Sequence, residues 1–248
     1  MNTSMIANAA LAGGFFLLFA LPALFRRETR GWVPLVFVIA LLDSFATLLP
    51  VIDKHLQFPD VTWNWAGKVF SIGAMLLVSI LLIATRRLTA GDFGLTLRQA
   101  PGTGRALLTV ILPYLIVLAA LALTLFGNDK PPAHETLAYQ ATMPGLAEEL
   151  SYRGVQLALF NRMFAGRLRL LGAEMGYGAI AVSVVFGLLH GIGFDKSLHL
   201  QVSMFTIAMT GFIGFILAWL RARTGSLALP VIVHNLTNLI LECVPKVF

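Results

Sequence analysis

The stretch Glu148-Glu149-Leu150-Ser151-Tyr152-Arg153 lies inside an otherwise small and apolar run, Ala141 to Leu159. That run has the length and character of a membrane helix. Each ionised group at the centre of such a helix costs about 2.5–3.5 kcal/mol even on mild insertion scales. A segment that keeps two carboxylates and a guanidinium therefore has a use for them. Two further apolar segments are broken by polar residues, at Phe186-Gly187-Leu188-Leu189-His190 and at His234-Asn235-Leu236-Thr237-Asn238. The three clusters read as one site.

The rest of the chain supports a bilayer setting. Of 248 residues, 58% are hydrophobic and only 12% charged, against about 25% charged in a soluble domain. Mean hydropathy is +0.82. The 22 glycines suit close helix packing in lipid. One cysteine, Cys243, excludes an intramolecular disulfide framework. The net charge of +6 would point to nucleic acid in a soluble protein. Here the basic residues cluster in short loops between apolar segments, so membrane topology accounts for them and no nucleic-acid partner is expected.

Eight segments approach the roughly 20 residues needed to span. They are Met5–Phe25, Trp32–Val51, Val69–Thr85, Ala106–Phe126, Ala141–Phe160, Tyr177–His190, Leu200–Leu220 and Leu227–Val244. No Lys or Arg precedes the first, so it is expected to stay as a helix and not to act as a signal peptide. The predicted fold is an all-α polytopic membrane helix bundle of about eight helices with the active site inside. Residues 1–140 would supply N-terminal membrane helices and 141–248 a catalytic core, packed as one membrane domain. The arginines test the count. Arg26, Arg27 and Arg30 follow segment one; Arg86, Arg87, Arg98 and Arg105 follow segment three. Arg162, Arg167 and Arg169 follow segment five; Arg221 and Arg223 follow segment seven. The alternate side holds only Lys54, Lys68, Lys130, Lys196 and Lys246. The positive-inside rule then places the arginine side in the cytoplasm and both termini outside.

The connectors read blandly. Residues 86–105 carry Phe93, Leu95 and Leu97, which fits a short interfacial element or a solvated connector equally well. Trp63 and Trp65 read as membrane-boundary anchors. Asp43, inside segment two, reads as a buried packing group.

The polar clusters carry a hydrolytic kit. Residues four apart share a helix face, so Glu149 and Arg153 can form a buried ion pair. Glu148 is turned about 100° away and is free to act as a general base toward water. His190 and His234 can polarise water, shuttle a proton or bind metal. Asn238, four residues after His234, can donate to a developing oxyanion. One carboxylate with two histidines also matches a catalytic zinc set, namely Glu148, His190 and His234. Zinc and no metal both remain open at this point. Taken singly, Glu149–Arg153 could be a packing pair and Thr237/Asn238 interhelical glue. Three clusters in three apolar helices argue against an all-structural reading.

At these residues the chain resembles the CPBP intramembrane proteases, also called the Abi or CAAX-protease (Rce1-like) family. Their motifs EExxxR, FxxxH and HxxxN stand here as Glu148-Glu149-x-x-x-Arg153, Phe186-x-x-x-His190 and His234-x-x-x-Asn238. The Thr224-Gly225-Ser226 turn before the third motif is similar too. The resemblance covers about residues 140–243; the first half matches only as hydrophobic helices. It implies a peptide bond of a membrane-associated protein or peptide hydrolysed by glutamate/histidine-activated water. The base would be Glu148, the aiding histidines His190 and His234, the oxyanion donor Asn238, and the supports Glu149 and Arg153. Members are labelled metalloproteases, and a metal-free mechanism is also proposed for them. Eukaryotic members cut prenylated CAAX proteins. Prokaryotic members serve peptide processing, bacteriocin self-immunity and surface-protein regulation. Short loops and high hydrophobicity here point to a prokaryotic cell membrane. The competing readings are a proton-coupled transporter and a non-catalytic immunity or scaffold protein. The first is disfavoured by the lack of a repeat between the halves.

Overall fold

In hydrocarbon every backbone polar group must find an internal partner, so apolar runs become helices. The computed structural model describes residues 3–126 and 131–243. Each of the eight expected segments contains a helix there, although Leu200–Val202 of the seventh is a strand and Val244 of the eighth lies outside the described residues. Helix α1 is Thr3–Ala20, continued by a 3-10 turn at Leu21–Phe25. Helix α2 is Val33–Ile52, with a proline in its first turn, where the missing N–H costs nothing. Helix α3 is Trp65–Ala84, started by Asn64, whose side chain accepts from the Gly67 N–H. A one-turn α4, Ala90–Phe93, is closed by a Thr89/Asp92 capping box and a left-handed Gly94. Helix α5 (103–126) alternates α and π turns. The short α6 is His134–Gln140.

Helix α7 (143–163) carries the first motif and changes character at it. Met143–Glu148 is α-helical, Glu149–Gln156 is π-helical and Leu157–Met163 is α-helical again. Widened turns of this kind concentrate at functional sites. The regular 100° step expected between the two glutamates thus ends at Glu149. Seven residues of the π segment, Glu149 and Arg153 among them, are buried. After α7 come the hairpin β1 (Arg167–Leu170) and β2 (Ala173–Gly176), helix α8 (Tyr177–Gly191), and the hairpin β3 (Ile192–Phe194) and β4 (Leu200–Val202). Helices α9 (Met204–Thr224) and α10 (Ala228–Cys243) complete the described chain.

Among the described residues, five helical stretches are long and apolar enough to cross a membrane: Thr3–Phe25, Arg30–Ile52, Trp65–Ala84, Thr103–Thr124 and Met204–Thr224. Tyr177–Gly191 and Ala228–Cys243 are apolar but shorter. The chain is an integral membrane helix bundle. Two of the lysines read as lying opposite the arginines, Lys130 and Lys246, fall outside the described residues.

Close approach between α8 and α9 fixes the second motif. A Cβ on Gly187 would stand 2.5 Å from the Ile207 carbonyl oxygen, so only glycine lets the two backbones meet there. The 86–105 connector is not a free solvated loop. Phe93 is fully buried. Arg221 Nη2 donates to the Gly91 and Asp92 carbonyls at 3.1 and 3.0 Å. Leu227 N donates to Gly94 O at 3.0 Å and Ala100 N to Thr224 O at 2.9 Å. The connector is thereby stitched to the turn between α9 and α10.

Candidate active site

The three motifs converge. Glu149 Oε1 accepts from Arg153 Nη1 and from His234 Nδ1, each at 2.8 Å. Arg153 Nη2 reaches the Gly214 carbonyl of α9 at 3.1 Å, and its guanidinium lies 4.4 Å from the centre of the Phe186 ring. Phe186 also meets His234 edge-on at 6.0 Å. So the phenylalanine of the second motif packs between the arginine of the first and the histidine of the third. A fully buried charge pair is stable only when its remaining valences are met. Here an imidazole, a carbonyl and an aromatic face supply part of that, while Glu149 Oε2 and Arg153 Nε are buried without a hydrogen-bond partner among the described residues.

Glu148 points elsewhere, into a cavity of about 420 Å³ that Lys68, Tyr139, His190, His234 and Asn238 also line. Its Oε2 stands 3.8 Å from His234 Nε2 and 4.0 Å from His190 Nε2. These gaps are too long for direct hydrogen bonds and suit a shared water. The tautomers follow from the other ring nitrogens. His190 Nδ1 lies 2.7 Å from the Phe186 carbonyl, which can only accept, so Nδ1 carries the hydrogen. His234 Nδ1 faces a carboxylate held by arginine, so it too donates. In the neutral rings both Nε2 lone pairs are then directed at Glu148.

Several partners were not legible in the sequence. Lys68, counted as an outer-loop charge, lies in the first turn of α3 and places Nζ 2.7 Å from Glu148 Oε1. Glu148 is therefore not the unpaired carboxylate expected from its own helix. Asp43 accepts from Ser71 at 2.5 Å and from Ser151 at 2.6 Å; its partners come from α3 and α7, which spacing along α2 cannot show. Asn235 accepts from Gly145 N at 2.8 Å and donates to Thr142 O at 3.3 Å, pinning the start of α7 to α10. Asn238 donates from Nδ2 to Gln140 at 3.1 Å, which leaves its second amide hydrogen. Thr237 lies 2.8 Å from the Tyr114 hydroxyl of α5 and is the interhelical glue. Trp63 is more than an anchor: it stacks on Tyr139 at 4.8 Å and lines the cavity.

Beside Trp63, Glu135 holds the turn before α3. Its carboxylate accepts from the Thr62 hydroxyl at 2.6 Å, from the Thr62 and Trp63 backbone N–H groups, and from the Trp65 indole at 3.1 Å. These donors, the Thr62 hydroxyl foremost, lower its pKa from 4.5 to about 2.

The set Glu148, His190 and His234 fits zinc poorly. The Lys68 ammonium already occupies one oxygen of the carboxylate, and a dication beside it would be repelled. Among the described residues, no three His, Cys, Asp or Glu side chains are grouped as metal ligands. The metalloprotease expectation finds no support in this geometry.

Residues 133–240 match the family model described as type II CAAX prenyl endopeptidase, Rce1-like. That is the family to which the three motifs point. No curated protein and no solved structure matches the chain.

Proposed function

We propose that this chain, whose residues 133–240 match the Rce1-like type II CAAX prenyl endopeptidase model, cuts a membrane-associated protein or peptide by activated water. One observation carries the reading. Both imidazole Nε2 atoms face the same oxygen of Glu148, at 3.8 and 4.0 Å, while each Nδ1 is tied down.

The chemistry balances without further groups. A water in that gap donates one hydrogen to Glu148 Oε2 and the other to an imidazole Nε2. Its lone pair attacks the scissile carbonyl as Glu148 takes a proton. The free amide hydrogen of Asn238 meets the developing oxyanion. Collapse breaks the C–N bond, and the proton on Glu148 passes to the leaving amine. Glu149 and Arg153 orient His234 and do not touch substrate. Residues 1–140 and 141–248 act as one membrane unit, since Lys68 and Asp43 reach the site from the N-terminal part.

The arginine distribution supports an outward-opening site. Lys68, Glu148 and His190 all lie at the helix ends opposite the arginine loops. The substrate would then come from the outer leaflet of the cell membrane. Cleavage of a library of membrane-associated peptides by purified protein tests the reading, with Glu148→Ala as control. Products formed equally by both proteins would refute it.

A further inference from the structure

We propose that Lys68 is a positioning residue of the hydrolytic site: its ammonium holds one oxygen of Glu148 and so presents the other to water. The proposal rests on the hydrolytic reading above. It adds a residue from α3, outside the region that matches the family model.

The two carboxylate oxygens of Glu148 have separate tasks. Oε1 receives Lys68 Nζ at 2.7 Å. Oε2 faces His190 and His234. A carboxylate without the lysine could swing about its terminal torsion, which is broad. Charge-assisted contact at one oxygen removes that freedom. It also balances a negative charge that would otherwise stand uncompensated among apolar helices.

The lysine is held by a ladder between two helices. Lys68 and Ser71 are three apart on α3 and share a face; on α7, Glu148 meets Lys68 and Ser151 meets Asp43. The ion pair forms one rung. Asp43 forms the other, accepting from Ser71 at 2.5 Å and Ser151 at 2.6 Å. Asp43 thereby fixes the register in which Lys68 meets Glu148. The start of α3 is fixed in turn by the Asn64 cap and by Asn64 Nδ2, which donates to Thr47 O at 2.8 Å. A Cβ on Gly67 would collide with Asn64 and with the Thr47 carbonyl, so α2 and α3 touch where the lysine enters. The lysine side chain is 16% exposed, and it borders both the cavity that Glu148 faces and a second one reaching Asp43, Ser44 and Thr47.

The test uses the full-length protein and one cleaved peptide. Glu148→Gln serves as reference. Lys68→Met keeps the length and removes the charge. Its kcat is expected to fall at least about a hundredfold, with KM within threefold and a folded melting profile. Lys68→Arg should stay within tenfold of wild type. Lys68→Ala should regain activity saturably with propylammonium, which replaces the missing three carbons and ammonium, whereas wild type should not respond. A Lys68→Met kcat within twofold of wild type, or a loss confined to KM, overturns the proposal. So does a folded Lys68→Ala protein that no amine restores. If Lys68→Met does not fold, Lys68→Arg decides: activity within tenfold supports the role, and a folded but inactive protein ends it. Cleavage that survives Glu148→Gln would instead refute the hydrolytic reading itself. Cleavage abolished by Glu148→Gln yet kept in Lys68→Met refutes only the lysine.

Discussion

Glu149 and His234, 85 positions apart in the chain, are joined Oε1 to Nδ1 at 2.8 Å, and Arg153 donates to the same oxygen. This triad assigns different work to two adjacent glutamates. Glu149 is fully buried and orients an imidazole; Glu148 is partly open and faces the cavity.

Arg153→Ala should cost about 3–5 kcal/mol, because it leaves the buried Glu149 carboxylate without its cation. The same change should lower hydrolysis, since His234 loses its fixed partner. Thermal melting in detergent checks the first part. An unchanged melting temperature would mean that the pair contributes nothing.

Asn235→Ala should destabilise by about 1–3 kcal/mol, the cost of an unmet buried donor at Gly145 N–H. Because Asn235 ties the start of α7 to α10, kcat should fall with it. Gly145→Ala should do at least as much harm, since its Cβ would stand 2.5 Å from Asn235 Oδ1 and 2.7 Å from the Val231 carbonyl. Paired melting and turnover measurements decide both. Wild-type values for Gly145→Ala would contradict the close contact.

Glu135 gives a pH signature. Its folded pKa is depressed from 4.5 to about 2. Its contribution is therefore present above 4.5 and is lost as pH falls through about 2. Emission of Trp63 and Trp65, which the carboxylate holds, should change across that window. Glu135→Gln should show the loosened signal already at neutral pH. An emission profile that is flat in wild type and unaltered by Glu135→Gln would dismiss the clasp.

Most of the bundle was legible because hydropathy alone marks where a backbone must satisfy itself. Each of the eight apolar runs holds a helix, and five helical stretches among the described residues are long and apolar enough to cross a membrane. The motif residues were legible because a charge in an apolar helix is conspicuous. What stayed hidden shares one cause. Lys68, Asp43 and Asn235 find their partners on other helices, and spacing within one helix carries no record of that. Lys68 looked like a loop charge because α3 starts at Trp65, four residues earlier than the apolar run at Val69. The π turn from Glu149 was hidden as well, since no residue type in that stretch demands it. The 86–105 connector has a polar sequence, and only its contacts with Arg221, Thr224 and Leu227 reveal it as a clasp.

Topology is open to a direct check. With Cys243 replaced by serine, single cysteines at Glu28 and Lys54 probe opposite sides; both positions are exposed. A membrane-impermeant thiol reagent on intact cells should label Lys54→Cys and spare Glu28→Cys. The reverse pattern would turn the cavity mouth toward the cytosol.

The central claim is that Glu148 activates a water which ends in the cleaved bond. Cleavage in H2(18)O tests it most directly, with wild type and Glu148→Gln compared on one peptide by mass spectrometry. The account predicts one heavy oxygen in the new carboxyl group of the wild-type product. It predicts a rate at least about a hundredfold lower for Glu148→Gln. Equal rates for the two proteins, or a wild-type product without the heavy oxygen, would contradict it.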